Sequence, residues 1–215
     1  MKTRDIALAG LMTALTFVVT RAFIIPIPQT KGFFNVGEAA VYTAAVLFGP
    51  RIGAIAGGLG SALADLSLGY AAFAPYTLVI KGVEGYVVGT LGRGPRRAVA
   101  TVGPVVGLLM GIYALAIPSW LVRSAGAVVA VVAVMSLALL VRRRDRPSGI
   151  RIAAMISGGL LMILGYFLVQ AFVFQLGVPA ALVEVPYNTV QMAVGIVAGL
   201  ISAATFEQAL ILPGR

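Results

Sequence analysis

The sequence predicts an all-α polytopic membrane protein of eight spans, with both termini on the inner side. Three observations predict it. The 215 residues are 60% hydrophobic and 11% charged, where an ordinary soluble domain carries about 25% charged residues. The apolar residues fall in runs near the roughly 20 residues that cross a hydrocarbon core. The basic residues fall between those runs, and twelve of the sixteen Lys and Arg lie on one side if the N-terminus is inside. That asymmetry is what orients helical membrane proteins. Residues 1–215 are therefore expected to form a single membrane domain.

The first span is expected from about Asp5 to Ile25, stopped by Pro26 and Pro28, which cannot continue a helix. It is read as a retained helix and not a cleaved leader, because no polar mature region follows it. On it Gly10 and Ala14, like Ala9 and Thr13, stand four apart. Small residues at that spacing admit a neighbouring helix closely, whether inside the bundle or from a partner. Residues 27–35 read as a loop containing Phe33 and Phe34. Val36–Phe48 reads as a short second span, and Gly49-Pro50-Arg51 as a tight turn. The third, Ile52 to about Leu66, is crowded with Gly, Ala and Ser, which implies closely packed backbones. The fourth, Pro75–Leu91, carries Lys81 and Glu84 three residues apart on one face.

After the basic stretch Gly92–Arg97, two nearly featureless apolar spans are expected at Val99–Pro118 and Ala125–Val141. The strongest basic loop is Arg142–Arg151. Ile152–Phe174 is a span containing Tyr166 and Gln170, and 175–184 a loop. The last span, from Val185 to about Leu212, opens with Tyr187, Asn188 and Gln191.

Several function classes are excluded by composition. Cysteine and histidine are both absent, which removes thiolate chemistry, disulfides and the commonest metal ligand. The net charge of +9 is accounted for by topology-setting loops, so no nucleic-acid partner is expected. No HExxH, GxSxG or Walker A pattern occurs. No catalytic residue, metal or cofactor is therefore expected, and the chain alone cannot draw work from ATP. The lipid bilayer is its expected surrounding.

The remaining signal is polar. Glu38, Asp65, Lys81 and Glu84 sit in or beside apolar runs, where a charge is costly and by default marks a site or a partner. On the expected topology these four, with Asn188 and Gln191, fall in the outer half. Phe33, Phe34, Tyr70, Phe73 and Tyr76 fall in outer loops or at their edges, and Tyr187 stands beside Asn188. A few placed polar groups within aromatic walls suit a small-molecule pocket. Lys81 and Glu84 would hold a polar head while Tyr or Phe stack on a ring. The alternatives are an internal ion pair that only locks packing, and aromatics that only anchor at the interface.

The run FNVGEAAVYTAAVLFGPRIGAIAGGLGSALADLSLGY, followed by APYTLVIKGVEGYVVG, resembles the substrate-binding (S) component of energy-coupling factor (ECF) vitamin transporters, closest to the riboflavin-type branch. GYFLVQAFVF and VEVPYNTVQMAVG are similar to that family's last two helices. The resemblance implies a six-helix core at 4–97 and 151–212, with residues 98–142 an inserted helical hairpin or one broken re-entrant element. It implies capture of a vitamin or related micronutrient outside a prokaryotic cell membrane, with riboflavin, pyridoxine or a pyrimidine precursor as candidates. A transmembrane coupling subunit and two cytoplasmic ATPases would supply the work. By position, Lys81, Glu84, Asn188 and Gln191 become ligand contacts, with Glu38, Tyr76, Tyr187 and Phe34 around them. Gly10 and Ala14 match the motif that meets the coupling subunit, glycine standing for its first alanine.

Two other readings stay open at this level. A small membrane enzyme acting on a lipid or isoprenoid would depend on Glu38, Asp65 and Glu84 for turnover. A ligand-free assembly protein would lose only stability on Lys81→Ala.

Overall fold

The computed structural model describes residues 1–93 and 147–210. The spans expected at 99–118 and 125–141, the hairpin 98–142, and residues 94–97 and 142–146 of the two basic loops lie outside the described residues. The described chain is mostly helical: α1 (Thr3–Ala22), β1 (Ile24–Ile27), β2 (Gly32–Asn35), α2 (Glu38–Phe48), α3 (Pro50–Leu68), α4 (Ala74–Leu91), α5 (Pro147–Leu168), a π-helical turn (Val169–Val173), α6 (Val178–Ala181) and α7 (Glu184–Leu210). Among them Thr3–Ala22, Gly149–Val173 and Val178–Ala209 are long and apolar enough to cross a membrane. The protein is a helical membrane protein.

α2 is the hub. Its eleven residues rise only about 16 Å, roughly half a hydrocarbon core. It can be short because it scarcely meets its surroundings: Ala40 to Val46 are all buried. Val41, Tyr42, Ala45 and Val46 pack with Val88 of α4, Met155 of α5 and Ala203 of α7. Its other flank packs Ala44 against Ala9 and Met12 of α1 and Ile52 and Ala56 of α3. A turn of one residue joins α2 to α3. Gly49 takes φ 92° there, a conformation open to glycine, and Pro50 follows in the first turn of α3, where its missing N–H costs nothing.

α3 and α4 lie backbone to backbone. A β-carbon on Gly53 would stand 2.7 Å from the Gly85 carbonyl oxygen, and one on Gly57 the same distance from that of Lys81. The small residues of α3 thus set how near α4 comes, and so where Lys81 points.

The structure corrects the sequence at several places, and the expected loop 175–184 is one of them: it holds the short α6 and the first residue of α7. The first helix stops at Ala22, and residues 24–35, expected to be helix end and loop, form an antiparallel hairpin pairing Ile25 with Phe34 and Pro26 with Phe33. Pro26 is tolerated because a two-stranded sheet has only edges. The basic stretch before α5 also ends sooner than expected, since helix begins at Pro147 and Arg151 pairs with Glu207 of α7 at 2.6 Å.

Gly57→Ala is expected to push α4 off α3 and cost about 1–3 kcal/mol by overpacking. Thermal unfolding of the purified protein in detergent checks this, with Ala54→Gly, at a half-buried position, as the mild comparison.

Candidate functional site

The polar residues gather at one end of the bundle. That end is formed by the last turn of α1, the hairpin, the start of α2, the end of α3, the start of α4, the end of α5 and the start of α7. At its centre the Lys81 ammonium donates to the Glu38 carboxylate and, at 3.1 Å, to Glu84 Oε2. Lys81 is 3% exposed, Glu38 1% and Glu84 0%, so neither carboxylate has water to replace its partner. Both carry further bonds. The Tyr42 hydroxyl donates to Glu84 Oε1 at 2.9 Å. The Gln191 amide donates to Glu38 Oε1 at 2.8 Å and its carbonyl accepts the Asn35 N–H at 2.9 Å. One cation thus links α2 to α4, and one glutamine links α2, α7 and the hairpin. The Lys81 ammonium also lies 5.8 Å from the ring centroid of Tyr166, within reach of a cation–π contact.

A second node ties down the cover. Glu184, first residue of α7, is buried. It accepts a hydrogen bond from the Thr30 hydroxyl at 2.8 Å and another from the Gln170 amide. Thr30 belongs to the hairpin turn and Gln170 to the π-helical turn. π-turns recur at functional sites, and this one places a buried amide against a buried carboxylate.

Two hollows adjoin these nodes. The inner cavity is lined by polar side chains, Thr20, Asn35, Ser61, Asp65, Thr77, Lys81, Glu184, Asn188 and Gln191, with Phe33, Phe73 and Tyr166 as its apolar surfaces. It holds about 30 Å³, close to one water molecule's share of the liquid. The outer hollow holds about 330 Å³ and is lined by Thr30, Lys31, Tyr70, Phe73, Phe174 and Leu176 among others. That is at the lower end of small-molecule sites. Phe73 lines both. It meets Phe174 edge-on at 4.7 Å between ring centroids, and Phe33 of the inner cavity lies 4.5 Å from Tyr70 of the outer hollow. A polar recess and an aromatic chamber thus lie side by side, with Phe73 in the lining of both.

The structure brings Lys81, Glu38, Glu84, Gln191 and Asn188 together. Lys81, Asn188 and Gln191 line the inner cavity, while Glu38 and Glu84 stand behind Lys81 and hold it. Tyr76, Phe34 and Tyr187 line neither hollow. Tyr76 packs on Phe174 at 5.6 Å, Phe34 on Phe23 at 6.4 Å, and Tyr187 is 43% exposed. Gly10 and Ala14 lie on the exposed face of α1, where a β-carbon on Gly10 would meet nothing. Sequence reasoning missed Thr20, Thr77 and Glu184 as cavity residues. Threonine on an apolar helix is unremarkable, and hydropathy alone places Glu184 in a loop. Its spacing ahead of Asn188 and Gln191, on one helical face, was the available signal.

The class defined by this architecture is a helical membrane protein with a buried polar recess at one end. More particularly, the chain belongs to the ECF-type riboflavin transporter S component family, whose family model matches residues 1–142. That is a family of transporter subunits and not of enzymes, in agreement with the sequence. A protein of Pyrococcus woesei described as an uncharacterized protein in gap 3'region is 51% identical over 77 residues, 36% of this chain and 51% of its own length. The thiamine precursor transporter HmpT of Lactococcus lactis subsp. cremoris is 39% identical over 87 residues, 40% of this chain and 52% of its own length. The chain thus spans about half the length of these curated relatives.

Glu184→Ala is expected to release Thr30 and Gln170 together and lower stability by about 1–3 kcal/mol, the cost of stranding buried polar groups. A lower unfolding temperature, with faster amide exchange confined to residues 24–35 and 169–185, is the result to look for.

Proposed function

We propose that this chain is the substrate-capture subunit of an ECF-type importer, binding a vitamin or vitamin precursor. The observation that carries the reading is the recess beside Lys81: a buried polar cavity that shares Phe73 with an aromatic chamber, in a member of an S-component family. The family description names riboflavin and the relative's name a thiamine precursor. Riboflavin, pyridoxine and a pyrimidine precursor are all flat heteroaromatics with polar edges, and a flat ring suits walls of Phe33, Tyr70, Phe73 and Phe174.

The chain is multi-pass in a prokaryotic plasma membrane, with eight spans, both termini inside and the recess facing out. Lys2, Arg4, Arg51, Arg93 and Arg151 support that orientation, since they stand on elements at the end of the bundle away from the recess. Lys81, Asn188 and Gln191 contact the ligand, and Glu38 and Glu84 position Lys81. Gly10 and Ala14, exposed on α1, meet the transmembrane coupling subunit, which two cytoplasmic ATPases drive.

The purified chain is expected to bind one of these vitamins in detergent with no nucleotide present. Cells producing it should accumulate that vitamin only when the coupling subunit and ATPases are produced too. Calorimetry and radiolabel uptake check the two halves. Absence of binding across riboflavin, pyridoxine and pyrimidine precursors contradicts the reading.

A further inference from the structure

Two strained backbone positions border the outer hollow. Among the described residues, Lys31 (φ 56°) and Gln175 (φ 54°) are the non-glycine residues with positive φ. That left-handed region is costly for any residue with a β-carbon, and such strain gathers at ligand clamps. Lys31 lines the hollow itself, and Gln175 stands between Phe174 and Leu176, which line it too. The hairpin turn shows what is odd about Lys31. The Thr30 N–H donates to the Ile27 carbonyl at 3.2 Å, closing a turn over Pro28 and Gln29. Lys31 follows, before Gly32 pairs with Ile27. Glycine or asparagine takes such a left-handed position with least strain, so turn chemistry gives no reason for a lysine. Packing gives none either: Lys31 is exposed and forms no salt bridge among the described residues.

The surrounding charge sharpens this. Among the described residues no carboxylate shares the lining of the outer hollow with Lys31. Asp65 and Glu184 line the inner cavity instead, and Glu184 is already bonded to Thr30 and Gln170. The hollow thus combines the aromatic side chains Tyr70, Phe73 and Phe174 with one ammonium that has no counter-charge. An ammonium only donates hydrogen bonds, and an anionic oxygen accepts them most strongly.

Resting on the transport reading above, we propose that Lys31 is a specificity-determining contact of the outer hollow, and that the substrate is a heteroaromatic carrying an anionic oxygen group, a phosphate ester or a carboxylate. The Lys31 ammonium holds that group while the ring lies among Tyr70, Phe73 and Phe174. The lysine stands at a strained position because its charge selects among rings that the aromatic chamber would otherwise accept alike.

Calorimetry on the purified full chain in detergent tests this with riboflavin, pyridoxine and a hydroxymethyl pyrimidine, each beside its phosphate ester, and with the carboxylate made by oxidising one hydroxymethyl group of pyridoxine. At least one anionic probe is expected to bind roughly five- to tenfold tighter than its neutral parent, between the worth of an exposed ion pair and that of a buried charged hydrogen bond. The gap should shrink as salt rises. Lys31→Arg should keep the preference. Lys31→Asn should bring it to near parity, with an unfolding temperature level with or above that of the wild type, because asparagine accepts the left-handed backbone. A preference for the esters alone identifies the group as phosphate, and one for the carboxylate alone as a carboxylate. If Lys31→Asn does not fold, the wild-type ratios and their salt dependence decide. Parity or a preference for every neutral parent in the wild type, or an unchanged ratio in Lys31→Asn, overturns this inference while leaving the transport reading intact. Binding of none of the probes overturns both.

Discussion

The structure depends on one buried cation. Lys81 lies between Glu38 and Glu84, and each carboxylate is held again from behind, by Gln191 and by Tyr42. Ions out of water are costly, and an ion pair offsets that cost only when its remaining lone pairs are satisfied. Here most are. Glu38 Oε2 is the exception, buried without a partner. The network joins α2, α4, α7 and the hairpin through side chains, where a wholly apolar bundle would leave their relative positions loosely specified. It converts a greasy packing problem into a fixed geometry at one end of the molecule.

That geometry relies on close approach elsewhere. Gly53 and Gly57 let α3 touch the backbone of α4, and Gly57 meets Lys81 through its carbonyl. α2 is short because its sides are covered, and its first residue is Glu38. The small residues of α3 and the ionised residues of α2 and α4 are thus parts of one arrangement. The apolar clusters below it, such as Tyr42 with Met155 and Val88, carry packing and leave the polar end free for recognition.

Much of this was legible in the sequence. Hydropathy marked α1, α5 and α7, and the Gly49-Pro50 turn was plain, because a bilayer imposes length and composition directly. The stranded charges Glu38, Lys81 and Glu84 announced themselves, since charge in an apolar run requires a reason. What stayed hidden was local. Strands of four residues containing Pro26 have too little alternation to read as a hairpin. The turn at Val169–Val173 depends on tertiary contacts of Gln170. Aromatic residues were visible, but burial sorted them: Phe33 and Phe73 went to the cavity, while Phe34 and Tyr187 went elsewhere.

The central claim is that Lys81 and Glu38 act as a unit. A double-mutant cycle with Glu38→Gln and Lys81→Met, read as unfolding free energy in detergent, tests it most directly. Each single change leaves a buried charge with fewer partners, at about 3–5 kcal/mol, whereas the double change removes both charges. The account predicts a double variant more stable than the sum of the singles by well over about 1 kcal/mol. Additive losses would mean that the two residues stabilise the bundle independently, and would contradict it.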